Sequence, residues 1–267
     1  MMNGIKLYFK YVSVSIQSQM QYRASFIMLT LSQFIVTFAD FLGIWILFDR
    51  FGTLKQWSMA EVALFYGIVH IAFAISEGFA RGFDTFSKQV KTGDFDRILL
   101  RPRSTVLQVL GLEFQLMRLG RLTQGLVVLL WAVNNLAIHW TMVKLTLILA
   151  AILGGACLFS GIFVLQATLC FWSVESLELV NMVTYGGVET AQYPLSIYSS
   201  WFRKFFIFVI PLACINYFPA MGILEKTDPL NSPIWIHYGS PLAGLIFLLL
   251  SLQVWKFGVT HYRSTGS

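Results

Sequence analysis

Five stretches of this sequence are apolar, almost free of charge and long enough to cross a bilayer. A spanning helix needs about 20 predominantly apolar residues. Ser25–Phe48, Glu61–Ala80, Leu112–Ile138, Val143–Trp172 and Pro241–Val259 all meet that length. Over the whole chain 57% of residues are apolar and 12% are charged, where a soluble domain carries about a quarter charged. There is too little polar sequence to cover a water-facing globule, so the solvent is lipid and the fold class is all-α, polytopic. Cys157, Cys170 and Cys214 lie inside apolar stretches, which excludes a disulfide framework and gives no paired metal-ligand spacing.

A sixth crossing lies between Ser173 and Ser232, where two readings compete. Hydropathy alone selects Phe205–Leu224, but Pro211 and Pro219 interrupt a helix that lipid requires to be continuous. Leu177–Ile197 is the alternative, with Glu178 and Glu189 in or near it. Either choice gives six crossings and leaves both termini on one side.

Lysines and arginines give the direction. Lys6, Lys10, Arg23, Arg81, Lys88, Lys91, Arg97, Arg101, Arg103, Arg118, Arg121, Lys256 and Arg263 fall on the side of the termini. Arg50, Lys55, Lys144 and Lys226 fall on the other, and Arg203 and Lys204 follow the unsettled segment. The expectation is that both termini are cytoplasmic. The net charge of +6 is then explained by topology, and nucleic acid need not be invoked. No cleavable signal peptide is expected, because the first span is too long for a signal core. Residues 1–24 read as a separate element: Ile5, Phe9, Val12, Ile16 and Met20 form one helical stripe beside Lys6, Lys10, Ser13, Gln17 and Gln21. That is the pattern of a helix lying in the membrane interface. Residues 25–267 form the transmembrane domain, ending in a Ser264-Thr265-Gly266-Ser267 tail that carries no inference.

The longest polar stretch is the loop 81–104. Phe79, Phe83, Phe86 and Val90 recur at helical spacing, with Asp84, Ser87, Lys88 and Lys91 on the other face. Gly93 suits a helix stop, Pro102 breaks the chain, and Ser104 or Thr105 can cap the next span. A short amphipathic helix here can lie on the membrane or dock into a soluble partner.

The run Lys91-Thr92-Gly93-Asp94-Phe95-Asp96-Arg97-Ile98-Leu99-Leu100-Arg101-Pro102 resembles the motif after the second span of ABC transporter permeases of the type-2 exporter class. The branch is one of chains of this length, often encoded in pairs beside one ATPase gene. Thr184-Tyr185-Gly186-Gly187, Tyr193-Pro194-Leu195-Ser196-Ile197-Tyr198, Ile210-Pro211-Leu212-Ala213 and Asn216-Tyr217-Phe218-Pro219-Ala220 fit the same branch. The resemblance implies that loop 81–104 is a coupling helix seated in a groove of a separate ATPase. Phe83, Phe86 and Val90 would be apolar anchors, and Asp84, Lys88, Lys91, Asp94, Asp96 and Arg97 a polar rim. It also implies that Leu177–Ile197 crosses and that residues 199–232 form a re-entrant segment. ATP and Mg²⁺ would bind on the partner. In agreement, this chain has no G-x-x-x-x-G-K-[ST] loop and no Gly-Lys dipeptide at all.

Several polar residues lie inside spans. Asp40 sits in the first, with a contact to cargo or partner permease and a hydrogen bond to a neighbouring helix as the open readings. Tyr66, His70, Glu77 and Arg81 share one face of the second, where Glu77 and Arg81 are one turn apart and can pair. That stripe either lines a path or joins helices. His70 has no second histidine at ligand spacing, so no metal is expected. Arg118 and Arg121 would snorkel to the headgroups or attract an anionic cargo. The tryptophans near span ends suit anchoring belts, and Gly154, Gly155 and Gly161 permit close helix packing.

The expected function is the membrane subunit of an ATP-driven exporter of an amphipathic or hydrophobic substrate, working as a homo- or heterodimer on ATPase subunits. A secondary transporter driven by an ion gradient, with Asp40, His70 and Glu77 relaying protons, is the alternative, but no internal repeat supports it. An intramembrane hydrolase would want Gly-x-Ser-Gly, and Leu158-Phe159-Ser160-Gly161 lacks the first glycine.

Overall fold

The computed structural model describes residues 4–173 and 177–263. The side chains of Ile5 and Glu178 and the tail 264–267 lie outside the described residues. Among those described the chain is helical throughout, with one isolated β-bridge between Leu54 and Trp57. The amphipathic leader is α1 (Gly4–Met20), and after a turn at Gln21–Tyr22 the first span is α2 (Arg23–Phe51). The second is α3 (Met59–Phe79), started by a capping box. Ser58 Oγ accepts from the Glu61 N–H at 3.4 Å, and the Glu61 carboxylate accepts from the Ser58 N–H at 2.8 Å.

The polar loop folds into four short helices, α4 (Arg81–Asp84), α5 (Phe86–Lys91), α6 (Asp94–Leu99) and α7 (Thr105–Leu110). The sequence predicts one amphipathic helix ending at Gly93; Thr85 divides it into α4 and α5. Gly93 has φ +71°, the left-handed conformation that favours glycine, and so ends α5 as its residue type suggests. A 3₁₀ turn at Leu116–Arg118 leads into α8 (Leu119–Asn135), and Thr141 caps α9 (Met142–Leu169). After α10 (Leu177–Ala191) come α11 (Ser200–Phe208), α12 (Leu212–Ile215), α13 (Tyr217–Leu224), α14 (Ile234–Gly239) and α15 (Leu242–His261). Among the described residues, five helical stretches are long and apolar enough to cross a membrane: α2, α3, Leu116–Asn135, α9 and α15.

The bundle is built around α3, whose spanning window is 78% buried against 22% for α2 and for α15. Helices α8 and α9 flank it, α2 packs on α8 and α15 on α9. The α9–α15 crossing is backbone-close because its ridges are glycine: a Cβ on Gly244 would run into the Gly154 carbonyl, and one on Gly161 would stand 2.8 Å from the Phe247 ring. Small residues of this kind let membrane helices pack by van der Waals contact, which lipid otherwise matches. The outer faces of α2 and α15 carry exposed Ile35, Ile46, Leu245 and Leu249, as a lipid-facing surface requires.

Both ends of the described chain lie at one end of the bundle, here called basal. Ser15 donates to the Phe114 carbonyl at 3.1 Å, and Tyr262 meets Phe95 edge-on at 5.0 Å. The opposite, distal end holds the connections before α3 and α9. Residues 193–226 have a distinctive course. Trp57 Nε1 reaches Ser196 Oγ at 3.2 Å and Lys55 reaches the Ile197 carbonyl at 3.0 Å. Beyond α13, Lys226 meets Glu61 at 3.0 Å and Glu225 meets Lys144 at 2.9 Å. The chain thus leaves the distal end after Ile197 and is back there by Glu225. In between it turns by 72° at Pro211, which cannot supply the donor a continuous helix needs. Pro219 causes no break, since it sits in the first turn of α13, where no intrahelical donor is required.

The distal loop is tied by Asp228. Its carboxylate accepts from Tyr217 at 2.7 Å, from the Leu230 N–H at 2.9 Å and from the Ser232 N–H and hydroxyl. Burial pushes the Asp228 carboxyl up, but these hydrogen bonds outweigh it and hold it below the ordinary carboxylate value.

Candidate functional site

Two regions gather the polar chemistry: the basal loop and a column along α3. In the loop, Phe83, Phe86 and Val90 are all buried, at 1%, 0% and 4% exposure. Phe83 and Phe86 each meet Trp255 of α15 edge-on at 5.0 Å, and Phe86 meets Phe95 at 4.9 Å. Phe171 and Tyr262 close the box, and the Trp255 indole N–H donates to Thr105 at 3.1 Å. This corrects the expectation that these residues point outward as docking anchors. The stripe is apolar because it packs on the chain's own last span. Asp84 also turns inward, pairing with Arg81 and accepting from Gln166 at 3.3 Å. The exposed face is carried by Lys88, Lys91, Arg97 and Arg101 together with Leu100, which is 85% exposed. Asp94 and Asp96 lie half-buried beside it, Asp94 within 3.5 Å of Arg97 and accepting from Thr92 at 2.6 Å.

The column begins at the basal end of α3. Glu77 is fully buried, with Arg118 and Arg121 of the third span each at 3.1 Å. The Arg121 contact is a hydrogen bond; the Arg118 contact is an ion pair without that geometry, because Arg118 directs its donors to Gln115 at 3.0 Å and Gln33 at 3.2 Å. Glu77 and Arg81 do not pair as expected: Arg81, at the start of α4, turns to Asp84 at its end. Nor do Arg118 and Arg121 snorkel, since both turn inward to the buried Glu77 carboxylate, and Arg121 also stacks over Phe73 at 5.0 Å. Higher on the same face, His70 stacks on Tyr66 at 3.8 Å and meets Gln192 at 3.4 Å, while the Tyr66 hydroxyl donates to the Thr37 carbonyl at 2.7 Å. The polar stripe read on the second span therefore joins four helices.

Two acids are left on the outside of this column. Asp40 of α2 and Glu189 of α10 are both exposed and close enough to interact electrostatically, Glu189 accepting from Gln192 at 2.6 Å. An ionisable group at this depth is costly against lipid and is normally turned to protein or to water. Sequence reasoning missed the partners of Glu77 and the residues Gln33, Gln166, Gln192 and Trp255. A signal existed for the arginines: three residues apart at the start of one span, they stand at the depth of Glu77 at the end of the preceding one. No group of His, Cys, Asp and Glu among the described residues could hold a metal ion.

A family model described as ABC-2 family transporter protein matches residues 34–266. The chain belongs to that family. No curated protein and no solved structure matches it. The protein is thus an ABC transporter permease, a multi-pass membrane subunit of a kind that works with ABC ATPase partners. Membership of that family assigns the span pattern read above to transport.

Proposed function

We propose that this permease is the membrane half of an exporter for an amphipathic or hydrophobic substrate, driven by a separate ATPase that docks on the basal face. The observation that carries the reading is mechanical. Loop 81–104 is bolted to α15 through Trp255 and to the end of α9 through Phe171, so force on its exposed face passes directly into two spans. ATP and Mg²⁺ bind on the partner, and the basal end faces the cytoplasm of a bacterial cell. The substrate route runs along the wall carrying Asp40 and Glu189, which a second permease copy, identical or similar, completes.

The docking rim is the cationic face rather than the phenylalanine stripe. Lys88→Glu, Lys91→Glu and Arg97→Glu combined are expected to cut co-purification with the partner ABC ATPase by at least about tenfold, as lost charge complementarity does at interfaces. Thermal stability should not change, because all three side chains are exposed. Undiminished co-purification would reject the rim, and proton-coupled uptake by this chain alone would reject the exporter.

In the same reading α10 with its following turn is the fifth crossing, and residues 199–232 are re-entrant from the outer side. Single cysteines at Trp201 and Lys226 should both react with an impermeant thiol reagent added outside the cell. Labelling of one from each side would show that the bent pair spans.

A further inference from the structure

The distal end holds a cavity of about 820 Å³ between α11, α14 and α15. Ile207, Phe218, Ile236 and Ile246 give it an apolar wall, and Arg203 and Lys204 stand at its lining as well. We propose that this crevice holds an anionic phospholipid of the distal leaflet, with its phosphate on Arg203 and Lys204 and an acyl chain along the apolar wall.

Charge complementarity carries the assignment. Lysines elsewhere at this end are already engaged: Lys144 by Glu225, Lys226 by Glu61, and Lys55 by the Ile197 carbonyl. Arg203 and Lys204 have no carboxylate partner among the described residues, and the nearby acid Asp228 is occupied by Tyr217, Ser232 and the Leu230 N–H. Two adjacent cations facing an apolar crevice need an anion that itself carries a hydrophobic body. Trp201 and Trp235, both exposed, flank the crevice and mark it as lying at headgroup depth. A second copy of this chain is a poor occupant, because a two-fold contact here would set Arg203 and Lys204 against their own copies. The larger basal cavity, about 980 Å³ between α1 and residues 111–117, lacks this selectivity, since Lys10 and Glu113 both line it. The proposal is independent of the ATPase reading, which it neither needs nor tests.

The test is native mass spectrometry of the full chain released from nanodiscs containing phosphatidylglycerol and phosphatidylcholine with identical acyl chains. The expected result is phosphatidylglycerol adducts that persist where phosphatidylcholine is stripped, undisturbed by millimolar inorganic phosphate. Arg203→Gln with Lys204→Gln should reduce their occupancy roughly 30-fold, the effect of two basic residues at a membrane surface. Ala243→Phe, which fills the crevice and leaves both charges, should reduce it too. Equal retention of the two lipids, or retention unchanged in the charge variant, overturns the proposal. Displacement by inorganic phosphate also overturns it, since that would make the site an anion site without a chain pocket.

Discussion

Glu77→Gln is expected to destabilise the permease by about 3–5 kcal/mol, the cost of breaking a buried ion pair by removing one partner. The carboxylate is fully buried and has two guanidiniums at 3.1 Å, so its neutral isostere strands both charges in the bundle. Arg118 retains Gln33 and Gln115, but amide oxygens do not neutralise it. The same reasoning gives a second expectation of opposite sign. Converting Glu77, Arg118 and Arg121 together to methionine leaves no stranded charge, and should recover most of the loss or exceed it. Thermal unfolding of the three proteins in one detergent measures both. If Glu77→Gln melts within about 2 °C of the parent, the cluster is not a stability determinant. If the triple variant is the least stable, its value lies in hydrogen bonds and not in charge pairing.

That cluster shows which part of this molecule was legible in its sequence. Hydropathy located all five long spans to within a few residues: Ser25–Phe48 became Arg23–Phe51, and Pro241–Val259 became Leu242–His261. Lipid enforces that legibility, because a spanning helix must be apolar along its whole length. Periodicity also found the correct faces, the Tyr66–His70–Glu77 stripe and the Phe83–Phe86–Val90 stripe. It could not say what each face meets. A helical period is a property of one helix, whereas the partner of Glu77 depends on which helix lies beside α3, and the partner of Phe86 on a span some 170 residues further along. Proline was informative in only one of two places: Pro211 breaks the chain, but Pro219 stands where a helix tolerates it. The sequence gives no local mark that separates these two.

The second large effect follows from the phenylalanine stripe and separates folding from coupling. Phe86→Asp places a carboxylate where no atom is exposed, among Phe95, Phe171 and Trp255 at ring distances of 4.9, 5.5 and 5.0 Å. Loss of the ring alone costs ~3–5 kcal/mol in a packed core, and an acid without hydrogen-bond partners adds several more. The variant should therefore lose monodisperse behaviour in detergent as well as ATPase coupling, and the second loss says nothing about docking. Leu100→Asp is the informative counterpart. At 85% exposure Leu100 supports no internal packing, so stability should stay within about 0.5 kcal/mol of the parent. An exposed leucine amid Lys91, Arg97 and Arg101 has the form of an apolar anchor inside a charged rim. Co-purification with the ATPase should then fall while the melting curve is unchanged. A stable Phe86→Asp protein would show that the loop is not clamped by its aromatic box. A Leu100→Asp permease that still captures and stimulates its ATPase would move the docking face elsewhere on the basal surface.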